Sequence, residues 1–416
     1  MPIILVVVVI GSLVIVHEFG HLIVAKLSGQ PVETFSVGFG PVLLKKQIGS
    51  TVYQLALIPL GGFIKLTGED YTAESGFNAA PLGNKIGVIL AGPIFNLILG
   101  IILTAILYSV FGVSNPIARI MPEPTAQSAG FANGDYILKI NQDTIKSWND
   151  LANKMQVYNN QDAIFSVKQG DAIKTIPYHI KIDSFPFSPF IEPIIDRVRE
   201  RSPAHKIGLK SGDIILEVDN KPIPEWYSFT EIVQGSGQKK LFIKWQHDNK
   251  VLEDTITPQS VTDELNNKRI GAIGVWVRLP QKSIPVLKSI GIATTRSLYV
   301  CEQTFVILYK IIAGKLPKSA IGGPVMVAKY TYEGAQWGLQ YLLGLWALLS
   351  INLCVINLIP IPIVDGGRIL LYIIESVRRK KLTKKEWEIS FWIGYALIGF
   401  ILIFALTNDL TRLIKK

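Results

Sequence analysis

The stretch from Pro2 to about Leu27 most restricts what this chain can fold into. It is long and apolar, yet it carries His17, Glu18 and His21. Ile3–Val16 holds no ionisable group, and Leu22–Ala25 is apolar again. In hydrocarbon a spanning segment must satisfy its own backbone groups, so the run reads as a helix. Histidines at i and i+4 then leave one helix face a turn apart, where both imidazoles reach one metal ion. Glu18 stands beside them, placed to take a proton from a metal-bound water. Such groups are costly in a span unless they act together. The plain alternative is a chance HExxH whose histidines are satisfied in a helix bundle. The run lacks a basic leader and a small-residue cleavage site, and it continues through the histidines, so it is expected to be a retained span.

The chain has 416 residues, 49% of them hydrophobic. That is too apolar for an ordinary soluble protein and too long for one domain. Its net charge is +10. The densest basic cluster lies between two apolar segments, so the charge reads as membrane orientation and not as a nucleic-acid surface. Cys301 and Cys354 have no metal-ligand spacing and make no disulfide framework.

Four segments are long enough to span: about 2–27, 85–112, 341–374 and 390–407. Residues 281–340 contain a fifth apolar stretch, about 284–313, interrupted by Lys288, Arg296, Glu302 and Lys310. It reads as an amphipathic helix on the membrane surface. With four spans, both termini (the tail being 408–416) and the long 113–340 segment share one side. The loop 375–389, with Arg378, Arg379, Lys380, Lys381, Lys384 and Lys385, falls on the other, with Lys45, Lys46 and Lys65. The positive-inside rule makes that side cytoplasmic. A fifth crossing would put the basic loop outside.

Residues 28–84 form the first cytoplasmic segment. Phe35–Pro41 is punctuated by Gly and Pro and reads as a turn region. Thr51–Leu57, the turn Pro59-Leu60-Gly61-Gly62 and Phe63–Leu66 read as a β-hairpin over about 51–66, apolar enough to dip into the membrane. Glu69–Ala80 is polar. In the second span, Gly92 permits close helix approach, and Asn96 needs a partner. An interhelical hydrogen bond is the favoured reading of Asn96 over a direct site role.

Between the second and third spans the chain repeats itself. Ser128–Asn141 matches Lys206–Asp219 at an offset of 78 residues, each copy a small apolar turn, a Gly-Asp turn and an alternating strand. A repeat of that length is a duplicated small domain. The third span is broken by Pro360, Pro362, Gly366 and Gly367. A broken span exposes backbone and should line a cavity. Asp365 is the only carboxylate there before Glu375. A catalytic zinc usually takes three protein ligands. At about 1.5 Å per residue, Asp365 reaches a depth compatible with His17 and His21, because both spans run the same way. Asp365 is therefore the expected third ligand. The alternative is an Asp-Gly turn or cap.

These motifs together, over essentially the whole chain, resemble the RseP-type site-2 proteases, bacterial intramembrane zinc metalloproteases. The likeness rests on His17–His21, Pro59–Gly62, Gly92–Asn96 and Asn357–Gly367. It implies one Zn2+ held by His17, His21 and Asp365, with Glu18 as general base. It implies that Asn357 and Asn352 contact substrate backbone, and that the hairpin, with Gly61, Gly62 and Phe63, adds the substrate as a strand. It implies two PDZ-like repeats, 115–187 and 188–280. It implies substrates that are single-span membrane proteins such as an anti-sigma factor already cut once, and signal-peptide remnants. Ile363-Val364-Asp365 departs from the family's common Leu before the Asp, an apolar-for-apolar change.

The expected architecture is thus a polytopic α-helical membrane protein with four transmembrane helices, a membrane-associated β-hairpin and two α+β PDZ-like extracytoplasmic domains. It would sit in a bacterial inner membrane, termini and PDZ-like domains periplasmic, active site towards the cytoplasm. The PDZ-like repeats lack a clean Gly-Leu-Gly-Phe loop, leaving peptide binding, a steric filter and plain spacers all open. A membrane scaffold bearing PDZ modules and no proteolytic activity predicts a missing ligand, yet all are present. A cation transporter predicts a polar pathway, yet Ile3–Val16 offers only Ser12.

Overall fold

The computed structural model describes residues 2–69, 73, 75–114, 118–181, 185–262, 268–279, 281–315 and 322–414. Within the polar segment Glu69–Ala80, residues 70–72 and 74 lie outside this set. The chain divides into two units, 1–111 with 284–416, and 112–283.

Among the described residues of the first unit, four helices are long and apolar enough to cross a membrane: Leu5–Leu27, Leu82–Val110, Leu339–Asn357 and Lys384–Thr411. The expected third span is two helices, Leu339–Asn357 and Asp365–Arg378, joined by residues 358–364. Apolar side chains gain little by leaving lipid for each other, so close backbone approach at small residues does the packing. A Cβ on Gly20 would stand 2.5 Å from the Ala91 carbonyl oxygen and 2.9 Å from the Phe95 ring. A Cβ on Gly100 would stand 2.5 Å from Ile351. The second helix is thereby held between the first helix and Leu339–Asn357.

The region 281–340 contains the helices Val286–Ile312 and Pro324–Gln336, and 316–321 lie outside the described residues. Val286–Ile312 is not among the four candidate spans. It packs against the second helix and Leu339–Asn357. Buried Asp409 of the last helix accepts hydrogen bonds from the backbone N–H groups of Gly323, Val325 and Met326 (2.8, 3.1 and 3.1 Å). It thereby satisfies donors that the start of Pro324–Gln336 leaves open.

The hairpin is larger than the one expected at about 51–66. Val32–Ile48 pairs antiparallel with Thr51–Leu66. Phe35–Pro41, expected as a turn, lies within the first strand. Gly38 and Gly40 adopt φ of 92° and 85°, so they bend the strand without ending it. Thr34–Val37 have partners on two sides, within 52–55 and within 62–65. Segment 61–66 pairs, among the described residues, only with 32–37 and leaves its far edge open. Val42, Leu43, Leu44 and Ile48 expose their side chains.

The second unit repeats one plan. Trp148–Val157 and Trp226–Gly235 are helices 78 residues apart, like the sequence repeat. Each half has its own core: Ile120, Ile137, Leu151 and Phe165 in one, Ile195, Ile215, Phe229 and Ile243 in the other. The first half's sheet runs Ala172–Ile180, Gln161–Gln169, Asp135–Ile140, Arg119–Pro122, Phe187–Pro189. The second half's runs Lys221–Pro222, Ile214–Val218, Leu241–His247, Lys250–Ile256. The repeated Gly-Asp turn is built alike in both. Asp135 accepts from Ala132 N–H at 2.7 Å and Asp213 from Lys210 N–H at 2.9 Å.

Candidate metal centre

His17 and His21 are both buried on the first helix. Their rings meet edge to face, centroids 4.8 Å apart, with the two Nε2 atoms 3.2 Å from one another. The space for the rings comes from Gly92 on the neighbouring helix. A Cβ there would fall within 2.6 Å of His21 Cε1 and 2.7 Å of His17 Cε1.

Asp365 arrives from the broken span. It opens the helix Asp365–Arg378, directly after residues 358–364. Gly366 and Gly367 let that connection fold back on the helix start: a Cβ on Gly366 would stand 2.7 Å from the Ile359 carbonyl oxygen. Asp365 Oδ2 lies 3.1 Å from His17 Nε2 and 3.6 Å from His21 Nε2. Asp365 is half-buried, but this oxygen is shielded from solvent and among the described residues accepts no hydrogen bond of good geometry.

Two ring nitrogens and a carboxylate oxygen converge here close enough for one cation to draw on all three lone pairs. Tetrahedral zinc with bonds of about 2.0–2.1 Å separates its ligand atoms by about 3.3 Å. The observed 3.2, 3.1 and 3.6 Å bracket that value. The donor set, two imidazoles and one carboxylate, is one that zinc takes in catalytic sites. The residues present fit the metal.

A cavity opens at the cluster, lined by His17, Glu18, His21, Phe63, Asn357 and Asp365 among others. Glu18 of the first helix and Ile64 of the hairpin line this cavity together. Gly62 allows this approach, since a Cβ on it would stand 3.2 Å from Glu18 Cγ and 2.7 Å from the Ser36 carbonyl oxygen. Gly61 sits under the Phe39 ring, and Phe39 stacks on Phe63 at 6.3 Å.

Of the two asparagines expected near substrate, Asn357 is at the cavity, its Nδ2 3.4 Å from His17 Nδ1. Asn352 is elsewhere: its Oδ1 accepts a hydrogen bond from the Thr304 hydroxyl at 2.9 Å. Five residues turn a helix by about 140° beyond a full turn, so the two cannot share a face. Asn96, read as an interhelical tie, makes one: its side-chain amide meets His17 of the first helix, with Nδ2 3.2 Å from Nδ1. Sequence reasoning also passed over Arg368, one helical turn after Asp365. It lines the cavity and pairs with Glu69 at 2.6 Å. An arginine inside a span was itself a signal.

Comparison with known proteins points to a peptidase family. The model of peptidase family M50 matches residues 5–401. The regulator of sigma-E protease RseP of Escherichia coli is 30% identical, with 98% of each chain covered. A protein named as a zinc metalloprotease in Neisseria meningitidis is 31% identical, with 97% of each covered. The regulator of sigma-W protease RasP of Bacillus subtilis is 27% identical over 98% of this chain and 97% of its own. Among solved structures, the PDZ domain of the SdrC-like protein of Listeria innocua is similar at 24% identity and a TM-score of 0.19, covering 22% of this chain and 97% of that one. Matched from end to end by family model and relatives, the chain belongs to peptidase family M50 and is a site-2-type metalloprotease.

Proposed function

We propose that the protein is an intramembrane zinc endopeptidase that cleaves single-span membrane proteins within their apolar segments. The observation that carries this reading is the convergence of His17, His21 and Asp365 at tetrahedral spacing, from helices with the composition of membrane spans. Those three residues hold one zinc ion. Bound there, zinc would supply Lewis acidity to a substrate carbonyl and lower the pKa of a water.

The chain's own groups do the rest. Glu18 takes the proton from the attacking water and passes it to the leaving nitrogen. A helical substrate hides its carbonyls in i→i−4 bonds and must be unwound before attack. The open edge at Gly61, Gly62 and Phe63, next to Glu18, supports an extended substrate added as a strand through main-chain bonds. Asn357, half-buried at the cavity, orients substrate backbone by hydrogen bonds.

The names of two relatives, regulators of sigma-E and sigma-W, support an anti-sigma factor as substrate. To this we add shortening by a prior cut, and signal-peptide remnants as further substrates. The chain sits in a bacterial inner membrane, with the basic segment 375–389 (two helix ends and the short turn between them) and the metal centre towards the cytoplasm. The termini and the two repeats, which take the PDZ-like role, face the periplasm.

Co-expression of a tagged single-span reporter with wild type or Glu18→Gln tests this reading. Product with wild type alone supports it. Equal product with both removes Glu18 from the chemistry. No product with either, zinc being bound, favours a scaffold bearing the same metal site.

A further inference from the structure

The imidazole pair poses a question that the three ligands leave unanswered. A neutral imidazole carries one N–H, so a nitrogen that binds metal needs the proton on the other nitrogen. A buried N–H needs an acceptor. His21 has one: its Nδ1 lies 2.8 Å from the Val88 carbonyl oxygen. His17 Nδ1 faces two amides, Asn96 at 3.2 Å and Asn357 at 3.4 Å.

We propose that Asn96 is a positioning residue of the metal centre: its side-chain oxygen accepts the Nδ1 proton of His17 and so presents the Nε2 lone pair to the metal. This rests on the reading of His17, His21 and Asp365 as ligands.

Four observations lead there. Asn96 is fully buried, and its Oδ1 has no hydrogen-bond partner among the described residues. A half-turn about Cβ–Cγ exchanges Oδ1 and Nδ2 without changing the side chain's shape, and places the oxygen against His17 Nδ1. Asn357 lines the cavity and is free to meet substrate, whereas Asn96 is sealed between helices. The helix-packing duty near Asn96 is carried by its backbone: Ser350 Oγ donates to the Asn96 carbonyl at 2.7 Å.

The spacing along the second helix completes the pattern. Val88, Gly92 and Asn96 stand at i, i+4 and i+8 on one face. Val88 receives His21, Gly92 leaves room for both rings, and Asn96 receives His17. Three successive turns thus form a rail against the two ligands. A polar partner that orients a ligating histidine typically commands about 10–100-fold in metal affinity.

The test uses the purified full chain in detergent, loaded with zinc and dialysed against a graded chelator, with bound zinc counted by atomic absorption. Asn96→Leu removes the acceptor at similar volume and should lose zinc at about 10–100-fold lower chelator than wild type. Asn96→Asp keeps an acceptor and should hold zinc like wild type, which preserves the test if Asn96→Leu does not fold. Ser350→Ala breaks the packing bond alone and should also hold zinc. Zinc retention by Asn96→Leu equal to wild type overturns the proposal. So does loss in Asn96→Asp, or in Ser350→Ala to the same extent. If wild type binds no zinc that His17→Ala removes, the metal reading fails instead.

Discussion

Asp365 Oδ2 approaches to 3.1 Å of His17 Nε2, joining the first helix of the chain to the helix that follows the last proline break. Neither residue can make a metal site without the other. Asp365→Asn keeps the shape and removes the anionic ligand. Zinc retention should fall by more than the about 10–100-fold that partners behind a ligand command. Reporter proteolysis should vanish with it, and 1,10-phenanthroline should reproduce that loss in wild type until zinc is added back. Proteolysis that survives both treatments would remove metal from the mechanism.

Gly92 makes a separate prediction, because its role is only to be small. Its missing Cβ would collide with both imidazoles. Gly92→Ala should therefore lower zinc retention by about 10-fold or more, with helix content by circular dichroism unchanged. Unchanged zinc binding would mean that the rings have another place to go.

The spans and the clustering of His17, His21 and Asp365 were legible in the sequence because each has a local signal. Apolar length marks a span, HExxH marks two ligands, and a carboxylate beside two prolines in hydrocarbon marks a third. The interhelical bond expected of Asn96 is present, but its partner, His17, depends on which helix lies opposite. The spacing from Val88 through Gly92 to Asn96 acquires chemistry only once the first helix runs alongside. The strand at Phe35–Pro41 was read as a turn because Gly and Pro usually end strands. Here two positive-φ glycines bend one that continues. Asn352 was grouped with Asn357 by motif, although helical geometry sets them on different faces.

In the second unit, Asp213 is fully buried and accepts from Lys210 N–H at 2.9 Å and from His247 Nδ1 at 2.6 Å. Asp213→Ala leaves those donors unpaired, at a local cost of about 1–3 kcal/mol. Hydrogen exchange across 190–280 should speed up accordingly. Cleavage of a reporter with a short external tail should stay within about twofold of wild type, since no ligand or cavity residue is touched. A large loss of cleavage would make the repeats part of the catalytic route.

Gly62 separates substrate binding from metal binding. It lies on the strand edge beside Glu18, and a Cβ there would press on Glu18 Cγ at 3.2 Å and on the Ser36 carbonyl oxygen at 2.7 Å. Gly62→Val should push the edge away from the carboxylate by a fraction of an ångström or more. A misplacement of about 1 Å between substrate and catalytic group can cost about 10²-fold. We expect a fall in kcat/KM of that order with full zinc occupancy, because Gly62 touches none of the three ligands. Loss of zinc together with activity would instead make the hairpin a structural wall of the metal centre. Unchanged kcat/KM would leave the edge strand without a part in holding substrate.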